Sequence, residues 1–154
     1  MRATLDGLRL PLTDNASLGA CLRKCASDFE GQTGLSVELD LRAEPILTLP
    51  TQAHLLRLVQ ESLANIRKHA HASRVQLSLA QDDHCLQLAV TDDGQGFDAQ
   101  ANPSDRQHGL RLMRERAALL GAHLHITSAP QQGTCVAIEL SPPCLTVSDL
   151  DDVG

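Results

Sequence analysis

Gln60-Glu-Ser-Leu-Ala-Asn-Ile-Arg-Lys-His-Ala70 is followed by Arg74-Val-Gln-Leu-Ser-Leu-Ala80, Cys85-Leu-Gln-Leu-Ala-Val-Thr91 and Asp92-Asp-Gly-Gln-Gly96. In this stretch the apolar spacing changes from helical to alternating. At about 100° per residue, Leu55, Val59, Leu63, Ile66 and Ala70 fall in one arc, which predicts a helix over 51–70. Glu61, Asn65 and Lys68 point the other way, with His69 at the margin. The two following runs alternate at period two and predict a hairpin across Gln81-Asp-Asp-His84. An amphipathic helix beside an alternating hairpin predicts a helix layer on a sheet.

The flanks extend that pattern. Asn15 or Ser17 can cap a helix running to about Gln32, closed by Gly31 and Gly34, with Leu18, Cys21, Leu22, Cys25, Ala26 and Phe29 on one stripe. Ser36 to Leu41 alternates as a strand, and Pro45 and Pro50 are expected to bracket an extended piece. Residues 98–108 have almost no apolar content and read as an exposed loop. A third helix is expected from about Leu110 to Leu120, ending at Gly121. Strands near His123–Ser128 and Thr134–Leu140 complete an α+β domain: a two-layer α/β sandwich whose mixed, mostly antiparallel sheet is covered on one face by about three helices. Residues 1–14 read as the end of a preceding helix or a linker, 15–140 as the domain, and 141–154 as a disordered acidic tail.

Composition narrows the classes. The chain has 154 residues, enough for one domain with a substantial core, and 42% hydrophobic residues, which argues against disorder. A net charge of −6 argues against a basic nucleic-acid surface. No apolar run is long enough to cross a bilayer and no signal-peptide pattern opens the chain, so a soluble domain without membrane contact is expected. Five cysteines at irregular spacings form no C-x-x-C pair, which points to reduced thiols in a cytoplasmic setting. His123 and His125 share a strand face and could pair on a metal, but no third ligand is evident and a surface role explains them better.

The polar residues suggest chemistry. A carboxylate at Asp92 can accept a hydrogen bond from the exocyclic amine of adenine, whereas guanine presents an acceptor there. Gly94 and Gly96 allow close approach to a flat ring, although Asp92-Asp-Gly-Gln-Gly96 taken alone reads first as a turn. Glu61 and Asn65, at i and i+4, adjoin on the helix. Asn65 offers an amide oxygen suited to Mg²⁺, Glu61 can act as a base or orient water, and Lys68 and His69 can neutralise phosphate charge. The same residues alone would also suit a solvated helix face. Gly109, just ahead of the expected third helix, would leave N–H groups free for phosphate. Gly133 would let the Thr134 hydroxyl reach the Asp92 side. Neither the P-loop pattern nor G-x-G-x-x-G occurs.

Taken in order, these segments resemble the ATP-binding catalytic domain of sensor histidine kinases, in the superfamily that includes DNA gyrase, mismatch-repair ATPases and a heat-shock chaperone. Glu61-x-x-x-Asn65-x-x-Lys68-His69-Ala70 looks like the asparagine box. Asp92-x-Gly94-x-Gly96 looks like the first glycine box, with His108-Gly109-Leu110 and Gly133-Thr134 as later elements. Gly109-Leu-Arg-Leu-Met-Arg-Glu-Arg-Ala117 is similar to the nitrate/nitrite-sensor branch. The resemblance implies Mg·ATP as ligand and transfer of the γ-phosphate to a histidine on a separate dimerisation domain, and from there indirectly to a response regulator. It implies Glu61, Lys68 and His69 as catalytic residues and Asn65 as the Mg²⁺ ligand. Asp92, Gly94, Gly96, His108, Gly109, Leu110 and Thr134 would bind nucleotide, and residues 98–108 would form a lid in which Asp105-Arg-Gln-His108 stands where the family usually has another glycine. None of the seven histidines lies in an acceptor-like His-Asp or His-Glu motif, so the chain alone is not expected to label itself. The setting implied is the cytoplasmic part of an inner-membrane sensor. A non-catalytic nucleotide-binding module and an anti-sigma-factor-type serine kinase are the alternative readings.

Overall fold

The computed structural model describes residues 17–82, 85–96 and 104–141. The expectations for residues 1–14, for the tail after Ser141 and for the first part of the lid lie outside them.

Helix α1 spans Leu18–Thr33. Ser17 caps it, its hydroxyl accepting from the Ala20 N–H at 3.1 Å. Gly34, at φ 78°, ends it by donating its N–H to the Glu30 carbonyl. Strand β1, Ser36–Leu41, follows and pairs in parallel with β2, Arg74–Gln81. Parallel neighbours require a long crossover, and helix α2, Leu49–Asn65, supplies it. Strand β3, Leu86–Asp92, returns antiparallel beside β2. Helix α3, Ser104–Leu120, leads to β4, His123–Ser128, and β5, Thr134–Leu140. The sheet order is β1-β2-β3-β5-β4, with only the β1–β2 pair parallel. This is the mixed, mostly antiparallel sheet that the alternation predicts.

One sheet face takes the helices. Leu77 and Leu79 of β2, Leu88 of β3 and Ile138 of β5 lie at 0–1% exposure against Leu55 and Leu58 of α2. Each such side chain contributes about 1.5–3 kcal/mol by leaving water. The opposite face carries Gln76, Gln87, His125 and Glu139, and Gln87 and His125 each lie 3.4 Å from a Glu139 oxygen. Alternation along the strands therefore separates an aliphatic interior from a polar outer face. The four described cysteines are free; burial, with the nearby Cys21 and Asp28, pushes the Cys25 thiol up to about 11, so it packs as an apolar group.

Three boundaries differ from the sequence reading. Helix α2 begins at Leu49, with Thr48 as its cap, so Pro50 sits in the first turn and not in an extended piece. Proline is suited to that position, where its missing N–H would have had no intrahelical partner. Helix α3 begins at Ser104 and not Leu110. Ser-Asp-Arg-Gln-His contains no glycine or proline, and polarity alone does not unmake a helix turn. Finally, α2 does not remain α-helical to Ala70. Ile66–Ala70 forms a π turn, ended by His71 in the left-handed region at φ 51°.

Candidate functional site

Asp92 is the last residue of β3 and, at 4% exposure, one of few buried polar side chains among the described residues. Its Oδ1 accepts the Gly94 N–H at 2.7 Å. Burial raises its carboxyl above the ordinary range, and neighbouring Asp93 adds to this; the bonds from the Gly94 and Thr134 backbone act in the opposite sense but do not cancel it. Thr134 lies directly across from Asp92 in the ladder. Its backbone reaches the carboxylate, while its hydroxyl lies 2.9 Å from the Ser128 hydroxyl. The reach expected of the Thr134 hydroxyl is thus made by the main chain.

The glycines around Asp92 have a steric task. Gly133 has φ +77°, and a Cβ there would fall 2.2 Å from the Asp92 carbonyl oxygen. Gly96 has φ +63°, and a Cβ there would fall 2.1 Å from the Ala129 carbonyl oxygen. The Gln131 N–H donates to the Gln95 carbonyl at 2.6 Å. The turn after β3 and the turn before β5 are therefore interlocked, which only residues without a Cβ permit at those two points.

A second group forms where α2 meets α3. Asn65 is half-buried, its Nδ2 3.9 Å from Met113 Sδ and its Oδ1 3.9 Å from where a Gly109 Cβ would stand. Gly109 lies inside α3, beyond the first four residues whose N–H groups a helix leaves open, so the expected phosphate-facing N–H at Gly109 is not available. What the glycine gives is room beside Asn65. Leu110, at 4% exposure, belongs to the core and not to a pocket wall, as do Met113 and Ala117. Arg116 Nη1 lies 3.1 Å from His54 Nδ1 and ties α3 to α2. The Met113-Arg-Glu-Arg-Ala117 motif is thus largely a packing device.

Glu61 is one turn from Asn65 but opens elsewhere. It lines a groove of about 320 Å³ between α1 and α2 with Cys25, Asp28, Arg57, Gln60 and Arg67. Lys68 is exposed on the π turn. His69 lies in the same turn and His108 in α3, their side chains outside the described residues. The structure thus brings Asp92 together with Gly94, Gly96, Gly133 and Thr134, and Asn65 with Gly109, while Glu61 faces the α1 side. His123 and His125 are exposed, and their rings stack at 6.5 Å.

Asp93 carries a role that the sequence reading missed. Its Oδ1 accepts the N–H groups of Ser73 at 2.8 Å and Arg74 at 2.9 Å, and its own N–H donates to the Arg74 carbonyl at 3.2 Å. The Arg74 and Ser73 bonds hold its carboxyl below the ordinary range. It stands just past the last β2–β3 pair, a position that only the strand register reveals.

Residues 51–143 match the family model for histidine kinase-, DNA gyrase B- and HSP90-like ATPases. The chain is 31% identical over 152 residues to the sensor protein VraS of Staphylococcus aureus (strain COL), covering 99% of this chain and 43% of that one. It is 33% identical over 143 residues to the nitrate/nitrite sensor protein NarX of Escherichia coli (strain K12), covering 92% of this chain and 24% of that one. It therefore spans less than half the length of these relatives. Among solved structures, the histidine kinase domain of a blue-light-activated kinase from Erythrobacter litoralis superposes with a TM-score of 0.71 at 27% identity, covering 84% of this chain and 63% of that one. The ATP-binding domain of PrrB from Mycobacterium tuberculosis superposes with a TM-score of 0.66 at 26% identity, covering 83% and 96%.

Proposed function

The chain belongs to the histidine kinase-, DNA gyrase B- and HSP90-like ATPase family, and we propose that it is the catalytic domain of a sensor histidine kinase that binds Mg·ATP and passes the γ-phosphate to a histidine on a dimerisation domain. The observation that carries the reading is Asp92, a buried carboxylate fixed at a strand end beside glycines. Burying an ionised carboxylate is costly unless donors meet it, so its natural use is to accept a hydrogen bond from a ligand. The adenine amine fits that use.

In this reading Asp92 reads adenine while Gly94 and Gly96 let the ring approach. The half-buried amide oxygen of Asn65 fits a hard cation that takes its remaining ligands from phosphate and water, so Asn65 would hold Mg²⁺. The metal would supply charge neutralisation at the phosphates. Lys68 and His69 add to that neutralisation. Glu61 accepts a proton from the acceptor imidazole as its nitrogen attacks phosphorus and ADP leaves, and we place the acceptor on the α1–α2 side, where Glu61 opens. The phosphoryl group would then pass to a response regulator. The relatives are named as sensors, which supports a catalytic domain of a sensor protein, and we place it on the cytoplasmic side of a membrane-bound one; among the described residues no helix is long and apolar enough to cross a membrane.

Calorimetry with a non-hydrolysable ATP analogue tests the metal assignment. The wild-type chain should bind at least about tenfold more tightly with Mg²⁺ than with EDTA, and Asn65→Ala should lose most of that difference. Equal Mg²⁺ dependence in the variant would remove Asn65 from the metal site.

A further inference from the structure

Adjacent carboxylates here face different ways. Asp92 turns into the helix layer, and Asp93 turns out to the main chain of residues 73 and 74. Ser73 closes the short link from the π turn, and Arg74 opens β2. The turn carries Lys68 and His69 and ends at His71, whose φ of 51° is unusual for a residue with a side chain. Asp93 thus ties the far end of the link that leaves the turn to the end of the strand that presents Asp92.

We propose that Asp93 is a positioning residue that sets the π turn, and with it the phosphate end of the nucleotide pocket, against the adenine end. The inference rests on the nucleotide-binding reading above. Two main-chain donors converge on a single oxygen, a geometry that fixes both the distance and the direction of the 71–74 link. A π turn is rare and often found at functional sites, and here its C-terminal link is held by Asp93. Asp93 is exposed, so its loss lets water meet the freed N–H groups and leaves no buried donor unsatisfied. The fold survives and the placement does not.

The test compares adenosine, which probes the adenine end, with Mg·ADP, which probes both ends, by ¹H–¹⁵N NMR titration. Asp93→Ala should weaken Mg·ADP binding about tenfold while adenosine binding stays within about twofold. Asp93→Asn keeps one acceptor oxygen and should match wild type for both ligands. Should Asp93→Ala not fold, Asp93→Ser, with its shorter side chain, serves in the same comparison. Equal losses for adenosine and Mg·ADP, an Asp93→Asn as weak as Asp93→Ala, or no loss in Asp93→Ala would each overturn the inference. A wild-type chain that binds neither ligand would instead remove the nucleotide-binding reading, and the inference with it.

Discussion

Asp92→Asn abolishes nucleotide binding at ordinary concentrations, with an expected loss of at least about hundredfold for ATP and ADP. The reason is the number of acceptors. The carboxylate accepts from the Gly94 N–H through Oδ1 at 2.7 Å and from the Thr134 main chain, and its two oxygens can still accept from an adenine amine. An amide has one oxygen: turned to Gly94 it presents NH₂ to the adenine amine, and turned to adenine it presents NH₂ to the Gly94 N–H. Either orientation sets donor against donor. The substitution should nevertheless stabilise the ligand-free chain at neutral pH. Burial raises the Asp92 carboxyl above its ordinary value of 3.8 in the folded state. Between 3.8 and the folded value the native state keeps a proton that the unfolded chain has lost, so stability falls as pH rises through that window. Asparagine lacks this dependence. Circular dichroism melts should therefore place Asp92→Asn above wild type at neutral pH, with the gap closing in acid. A variant that binds ADP like wild type would remove Asp92 as base reader; one that melts lower at neutral pH would contradict the electrostatic argument.

Gly133→Ala has the largest expected effect on stability. Alanine at φ +77° costs about 1–2 kcal/mol by itself. The Cβ would also stand 2.2 Å from the Asp92 carbonyl oxygen and 3.2 Å from the Asp93 Cα, so the main chain of the site must move. The combined cost should reach about 3 kcal/mol or more, a fall of roughly 6–12 °C in melting temperature for a domain of this size. Nucleotide affinity should fall with it, because the displaced backbone carries Asp92. Gly31→Ala is the matching control: nothing lies within 4 Å of its Cβ position, and replacing a glycine within α1 should stabilise by about 1 kcal/mol. Equal melting of Gly133→Ala and wild type would show that the two turns are not interlocked as described.

Periodicity carried most of the architecture from residue order to structure. The stripe of α1 and the alternation of β2, β3 and β5 depend on repeating spacings, which one sequence displays directly. The α3 start did not, because Ser104 to His108 lacks apolar residues and a helix turn needs none. The π turn was also hidden, since no residue type marks it, and His71 enters the left-handed region without being glycine. At the site, Asp92 could be read from its place between an apolar strand and glycines. Asp93 could not, because its partners are main-chain N–H groups from another segment, and such partners carry no sequence signal. From sequence Gly109 reads as the residue just ahead of a helix, yet its use is the space it leaves for Asn65, a contact across 44 residues of chain.

The central claim is tested most directly by transfer. The chain is incubated with [γ-³²P]ATP, Mg²⁺ and its cognate dimerisation helices, with Asp92→Asn in parallel, and the labelled helices are treated with acid and with alkali. The expected result is label on the helices that survives alkali, is lost in acid and is absent with Asp92→Asn, as phosphohistidine requires. Acid-stable label, or helices left unlabelled by a chain that binds ATP, would contradict it.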